Sequence, residues 1–193
     1  MRGVSYVRTV VVVHGASERI LCESIGANLR LPMKIIANKN GAASIQINGL
    51  SKFLKKSCLK SHEALLSECP RIQSDKGKAV NIKIFTIMDT DDCNDNKLLA
   101  SYKDGSIFSQ SAFSDAITPI FNSPKLDSVM EHIGHPIDEK QKTKSYSKIF
   151  PGESGDIETA VKLRDEVSSL SETNLCIFLN HCIEESRKDS LRK

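Results

Sequence analysis

Tryptophan is absent from this chain of 193 residues, and aromatic residues of all kinds make up only 5% of it. Tyr102, Phe108, Tyr146 and Phe150 could stack on bases, but nothing in their spacing singles them out. Long apolar runs are missing too. No segment approaches the ~20 apolar residues that span a bilayer, so no membrane helix is predicted. Val10–Val13 is too short for the apolar core of a signal peptide, and no cleavage pattern follows it. The six cysteines form no CxxC pair. Cys22, Cys58, Cys176 and Cys182 lie in apolar patterns and read as small core residues rather than disulfide or zinc partners. A reducing, cytoplasmic location follows as the expectation. The chain has no GxGxxG and no GxxxxGK[ST], which argues against dinucleotide and P-loop chemistry. The formal net charge of +3 is too small to select an anionic partner by itself.

Several short apolar runs are present. Thr9–Val13 is β-branched and does not alternate, as expected for a central parallel strand buried on both faces. Ser17 is placed to cap a helix running to Leu29, with Leu21, Ile25 and Leu29 inward. Met33–Ala37 suits a second strand. A helix over 44–59 would turn Ile47, Leu50, Leu54 and Cys58 inward. Ile82–Met88 reads as a third strand and Ile117–Phe121 as a fourth, where Pro119 favours an edge or early strand position. A helix follows Pro124, with Leu126, Val129, Met130 and Ile133 continuing it. Residues 135–155 read as a mobile basic loop or small insertion. Helices are expected over 156–170 and 174–185, with a frayed tail beyond Ser186. The alternation of strand and helix predicts an α/β fold with a parallel sheet, organised as an α/β domain over 1–135, a basic loop over 136–155, and C-terminal helices over 156–193 packing on that domain.

Sites in parallel sheets form beyond the carboxyl ends of the strands. Two such ends are rich in chemistry here. One strand runs into His14-Gly15-Ala16-Ser17-Glu18, the other into Asp89-Thr90-Asp91-Asp92. Carboxylates crowded at a strand end repel one another unless a counter-charge offsets them, and the usual offset is a divalent cation. In extended backbone Asp89 and Asp91 project the same way, so both could reach one ion, with Asp92 serving a second ion or capping the next turn. Such a site would neutralise a scissile phosphate and activate water. Aspartate is also a common turn former, so a solvent-facing turn is the plain alternative.

These residues resemble the Toprim domain, the metal-binding fold of topoisomerases, primases, small RNA-maturing nucleases and phage-defence nucleases. In that family an apolar strand ends in Glu-Gly with an acidic residue three positions beyond the glycine, and a later strand ends in Asp-x-Asp. Gly15 and Glu18 match the first motif; Asp89 and Asp91 match the second. The overcome-lysogenization-defect and RloB-like branches often extend the second motif to Asp-x-Asp-Asp, as Asp92 does here. Their later Pro-x-x-Glu-like segment has its nearest counterpart in Pro124-Lys125-Leu126-Asp127, which makes Asp127 the implied second-metal ligand. The resemblance covers residues 8–135 and implies a Toprim-like, mostly parallel sheet, Mg²⁺ or Mn²⁺ as cofactor, and metal-dependent phosphodiester hydrolysis on DNA or RNA, with phage defence as a setting. His14 stands where the family has its first glutamate. Imidazole shuttles protons and binds Mn²⁺, but it is a poor ligand for Mg²⁺. Three outcomes stay open: an altered but active site, transfer of the role to Glu18, or lost catalysis in a module that binds nucleic acid or a partner protein.

The implied catalytic residues are His14, Glu18 and Asp89, and the implied metal ligands are Glu18, Asp89, Asp91, Asp92 and Asp127. Lys39, Lys52, Lys55, Lys56, Lys142 and Lys144 are candidates for phosphate contacts that add affinity without sequence selectivity, although scattered lysines are usually just solvated. Nucleic acid is the expected partner, alongside a protein partner or a second copy of the chain, and no membrane.

Overall fold

The computed structural model describes residues 6–150 and 157–190. The chain order is β1 (Thr9–Val13), α1 (Ala16–Asn28), β2 (Met33–Ile36), α2 (Ile47–Leu54), α3 (His62–Glu68), a small hairpin of β3 (Ser74–Asp75) and β4 (Lys78–Ala79), β5 (Lys83–Asp89), α4 (Asn96–Lys103), β6 (Ile117–Asn122), α5 (Leu126–His132), α6 (Lys142–Ile149), α7 (Ile157–Ser168) and α8 (Leu175–Ser190). The main sheet has four strands in the order β2-β1-β5-β6, and every pairing in it is parallel. This is the expected α/β fold, a parallel sheet flanked by helices.

Both faces of the sheet are covered, which is why its central strands lack alternation. Val11 and Val13 of β1, with Phe85 and Ile87 of β5, pack against α1, α5, α6, α7 and α8. Val10, Val12, Ile84 and Met88 point the other way, into a cluster with Ile47, Leu50, Leu54, Leu65 and Tyr102. The C-terminal helices therefore share one apolar cluster with the first strand. The Tyr102 ring is fully buried, and its hydroxyl lies 2.8 Å from the carbonyl oxygens of both Thr86 and Ile120. It ties α4 to two neighbouring strands at once.

β6 is an edge strand, where the missing N–H of Pro119 leaves no ladder bond unmade. The Asn174 side chain covers that edge: it accepts from the Phe121 N–H at 2.8 Å and donates to the Pro119 carbonyl at 3.0 Å.

Several boundaries differ from the sequence reading. α1 is capped by Gly15, not Ser17. α2 is half the expected length, and Cys58–Lys60 forms a separate 3-10 turn whose cap is the Ser57 hydroxyl. α8 runs through Ser190, past the expected fraying point. The largest difference is α6, helical where a basic loop was expected; residues 151–155 of that stretch, and Asp156 at the start of the next expected helix, lie outside the described residues. Tyr146 and Phe150, both essentially buried, dock α6 on the core, a signal hidden among its lysines. Among the described residues, no helix is long and apolar enough to cross a membrane.

One buried titrating group ties α8 to the start of β1. His181 Nε2 lies 2.9 Å from the Thr9 hydroxyl and its ring packs on Phe85. Burial pushes the imidazole down to about 4. The unfolded chain thus takes up a proton near pH 6.5 that the folded chain refuses until about pH 4. The contribution is complete above pH 6.5 and drains away as the pH falls toward 4. Relative to His181→Gln, the native protein is expected to lose on the order of 2 kcal/mol across that window. Thermal melts of the two proteins at pH 7 and pH 4.5 measure the difference.

Candidate functional site

The carboxyl ends of β1 and β5 lie side by side. Val13 pairs with Ile87, and the His14 N–H donates to the Ile87 carbonyl at 2.8 Å. The two acidic segments singled out in the sequence therefore meet at one edge of the sheet. A third segment joins them from β6: Asp89 pairs with Asn122, and both the Thr90 and Asp91 N–H groups donate to the Pro124 carbonyl, at 2.9 and 3.1 Å.

Glu18 is the most deeply placed acid, with 1% of its surface exposed. It sits in the first turn of α1, where its Oε2 accepts from the Gly15 N–H at 2.9 Å. That bond is one half of a capping box and gives Glu18 a structural role. The other oxygen, Oε1, is buried and has no partner. Burial, with the nearby Asp89 charge next, pushes Glu18 up to about 8, so without a cation this carboxyl holds a proton at neutral pH.

Asp89 closes β5 and is 9% exposed. Its Oδ1 accepts from the Leu126 N–H at 2.9 Å and the Asn122 amide at 3.4 Å, so it also caps the start of α5. Burial pushes it up to about 6, against the opposing pull of His14. His14 lies with Nε2 4.0 Å from Asp92 Oδ2, while its Nδ1 and Asp92 Oδ1 are buried without partners. Asp92 is raised by burial as well.

Asp91 departs from the expected geometry. The strand stops at Asp89, and residues 90–92 turn around the Pro124 carbonyl. The alternation that would have aimed Asp91 alongside Asp89 does not apply, and Asp91 is exposed at the mouth.

Asp127 is buried at 7% exposure, and both of its oxygens are engaged. Oδ2 accepts from Lys142 Nζ at 2.8 Å and the Ser17 hydroxyl at 3.3 Å; Oδ1 accepts from the Tyr146 hydroxyl at 2.9 Å. Lys142, expected on a phosphate-binding surface, is thus turned inward onto an acid. Lys142, Tyr146 and Ser17 are members of this cluster that sequence reasoning did not place in it. The fourfold spacing of Lys142 and Tyr146 was the available signal, since it sets both on one face of a helix.

Of the other lysines, Lys39, Lys52, Lys55, Lys56 and Lys144 are exposed. Lys39 is the one the fold brings toward the strand ends. Its loop folds tightly over the first turn of α1: a Cβ on Gly41 would stand 3.3 Å from Arg19 Nε and 3.4 Å from Ala16 Cα. The Ile45 N–H then donates to the His14 carbonyl at 2.8 Å, so α2 starts beside the site and runs away from it. Lys55 and Lys56, just past the far end of α2, lie roughly a dozen Å from that start at 1.5 Å per residue.

Among the described residues, no group of three or more His, Cys, Asp or Glu side chains is arranged to hold a metal ion. The donors at the strand ends nevertheless suit one chemically. Glu18 offers a buried unpaired oxygen, Asp89 has both its bonds on a single oxygen, and His14 has an unpaired ring nitrogen. Hard oxygen donors of this kind are those that Mg²⁺ and Mn²⁺ take. No family model, no curated protein and no solved structure matches the chain.

Proposed function

We propose that this chain is a Toprim-like, Mg²⁺- or Mn²⁺-dependent phosphodiesterase acting on DNA or RNA. One observation carries the reading. Two buried carboxylates, Asp89 at the end of β5 and Glu18 in the first turn of the helix that follows the adjacent strand β1, are drawn to one end of the sheet, and Glu18 Oε1 is buried with no hydrogen-bond partner. Leaving a buried acceptor unpaired costs about 1–3 kcal/mol, an arrangement expected where a ligand completes the site.

Glu18 and Asp89 would hold the ion, and the exposed Asp91 would add negative charge beside Asp89. Bound there, a divalent ion supplies charge neutralisation at a scissile phosphate and a more acidic water. His14 would take the proton from the attacking water through Nδ1, which has no protein partner, while Asp92 lies 4.0 Å from its Nε2. Lys39, exposed on the loop over α1, would receive a backbone phosphate. Phage defence is the setting that the resemblance implies.

A second reading has its own support. His14 replaces the family glutamate, and Asp127 is already neutralised by Lys142. Both features suit a module that keeps the fold and binds nucleic acid or a partner protein without turnover. Cleavage assays on single- and double-stranded DNA and RNA, each with Mg²⁺ and with Mn²⁺, separate the two. The hydrolase reading expects metal-stimulated cleavage of at least one substrate. Binding without cleavage in every combination favours the second.

A further inference from the structure

Asp127 does not wait for a second cation. We propose that the Lys142 ammonium is a built-in cation that holds the second position of the site, so that the protein takes a single divalent ion. The inference rests on the metal-site reading above and specifies its stoichiometry.

The geometry is that of an internal counter-ion. Lys142 Nζ makes two bonds of 2.8 Å, to Asp127 Oδ2 and to the Ser17 hydroxyl, which itself contacts the same carboxylate oxygen. Tyr146, one helical turn further on, donates to the other oxygen. A carboxylate with both oxygens occupied has little left to offer a metal ion. The lysine is also held in place. α6 packs on α1 through Tyr146 and Phe150, and α1 carries both Ser17 and Glu18. Its side chain is about a quarter exposed and its partner nearly buried, so the pair is shielded far more than a surface ion pair.

Electrostatics favours the same division. Glu18, Asp89 and Asp127 bring three carboxylates to one buried corner of the fold. Lys142 already offsets one of these charges, and one divalent ion would offset the other two. A second divalent ion would have to break both 2.8 Å bonds of Lys142 and take its place on Asp127. Lys142 is thus a positioning residue: it sets the number of ions and ties α6 to α1 and α5.

Titration calorimetry with Mn²⁺ alone, paired with electron paramagnetic resonance of the bound ion, reads this directly. The native protein is expected to bind one Mn²⁺ and show an isolated-ion spectrum. Lys142→Met frees Asp127 and is expected to bind two, with the coupling of a neighbouring pair. Adding Asp127→Asn to Lys142→Met should return the count to one, because the second ion sits on Asp127. Lys142→Ala, which removes both the donor and the charge, serves if the methionine variant does not fold, and should also bind two. A native count of two overturns this inference and leaves the metal-site reading standing. So does a folded Lys142→Met protein that still binds one. A native count of zero overturns both.

Discussion

Asp89→Asn is expected to abolish metal-stimulated cleavage while leaving the fold intact. The asparagine keeps the oxygen that accepts from the Leu126 N–H, so α5 retains its cap. What it removes is the charge that would hold the cation beside Glu18. Changing a group that merely orients a metal ligand costs about 10–100-fold, and loss of a ligand between two buried carboxylates should exceed that, on the order of 10³-fold. Alanine would be a poorer probe, because it uncaps α5 and strands the Leu126 N–H; lost activity could then reflect lost structure. Turnover by Asp89→Asn within tenfold of the native rate, with circular dichroism unchanged, would contradict the proposed role.

Glu18→Gln should have the opposite effect on stability to its effect on function. Burial and the Asp89 charge push Glu18 up from an ordinary 4.5 to about 8. Between those two values the folded chain retains a proton that the unfolded chain has released, so stability falls as the pH rises. The penalty is absent below pH 4.5 and fully present above pH 8. At pH 8.5 it amounts to several kcal/mol by linkage, softened by relaxation around the site. Glutamine cannot ionise and still offers an oxygen to the Gly15 N–H. The variant is therefore expected to melt roughly 10 °C above the native protein at pH 8.5 and close to it at pH 5. Mn²⁺ should narrow the gap by stabilising the native protein and not the variant. Identical melting temperatures at both pH values would mean that Glu18 is solvated rather than trapped. A stable variant that cleaves normally would leave Glu18 as a helix cap alone.

The sheet was legible in the sequence because its cause is local. The β-branched run at Thr9–Val13 and the apolar run ending at Asp89 have no polar alternation, and only two-sided burial accommodates that. Pro119 marked the edge for an equally local reason. The meeting of Glu18 with Asp89 followed from topology, since adjacent parallel strands bring their carboxyl ends together. Longer-range partnerships were not legible. Asp127 looked free because nothing near it in sequence neutralises it; its partner, Lys142, lies fifteen residues away on a helix concealed by lysines and polar residues. Asp91 looked like a twin of Asp89 because the strand's end cannot be read to one residue from apolar pattern alone. Ser17 carried a helix-capping signature, yet the fold uses the backbone of Gly15 for the cap and spends the serine hydroxyl on Asp127.

The central claim is that Glu18 and Asp89 share one divalent cation. Anomalous diffraction from Mn²⁺-soaked crystals tests it most directly. A single strong peak bonded to a carboxylate oxygen of each is expected, Oε1 in the case of Glu18, with the Lys142–Asp127 bond intact. A structure with Mn²⁺ bound only elsewhere, and Glu18 Oε1 still unpartnered, would contradict it.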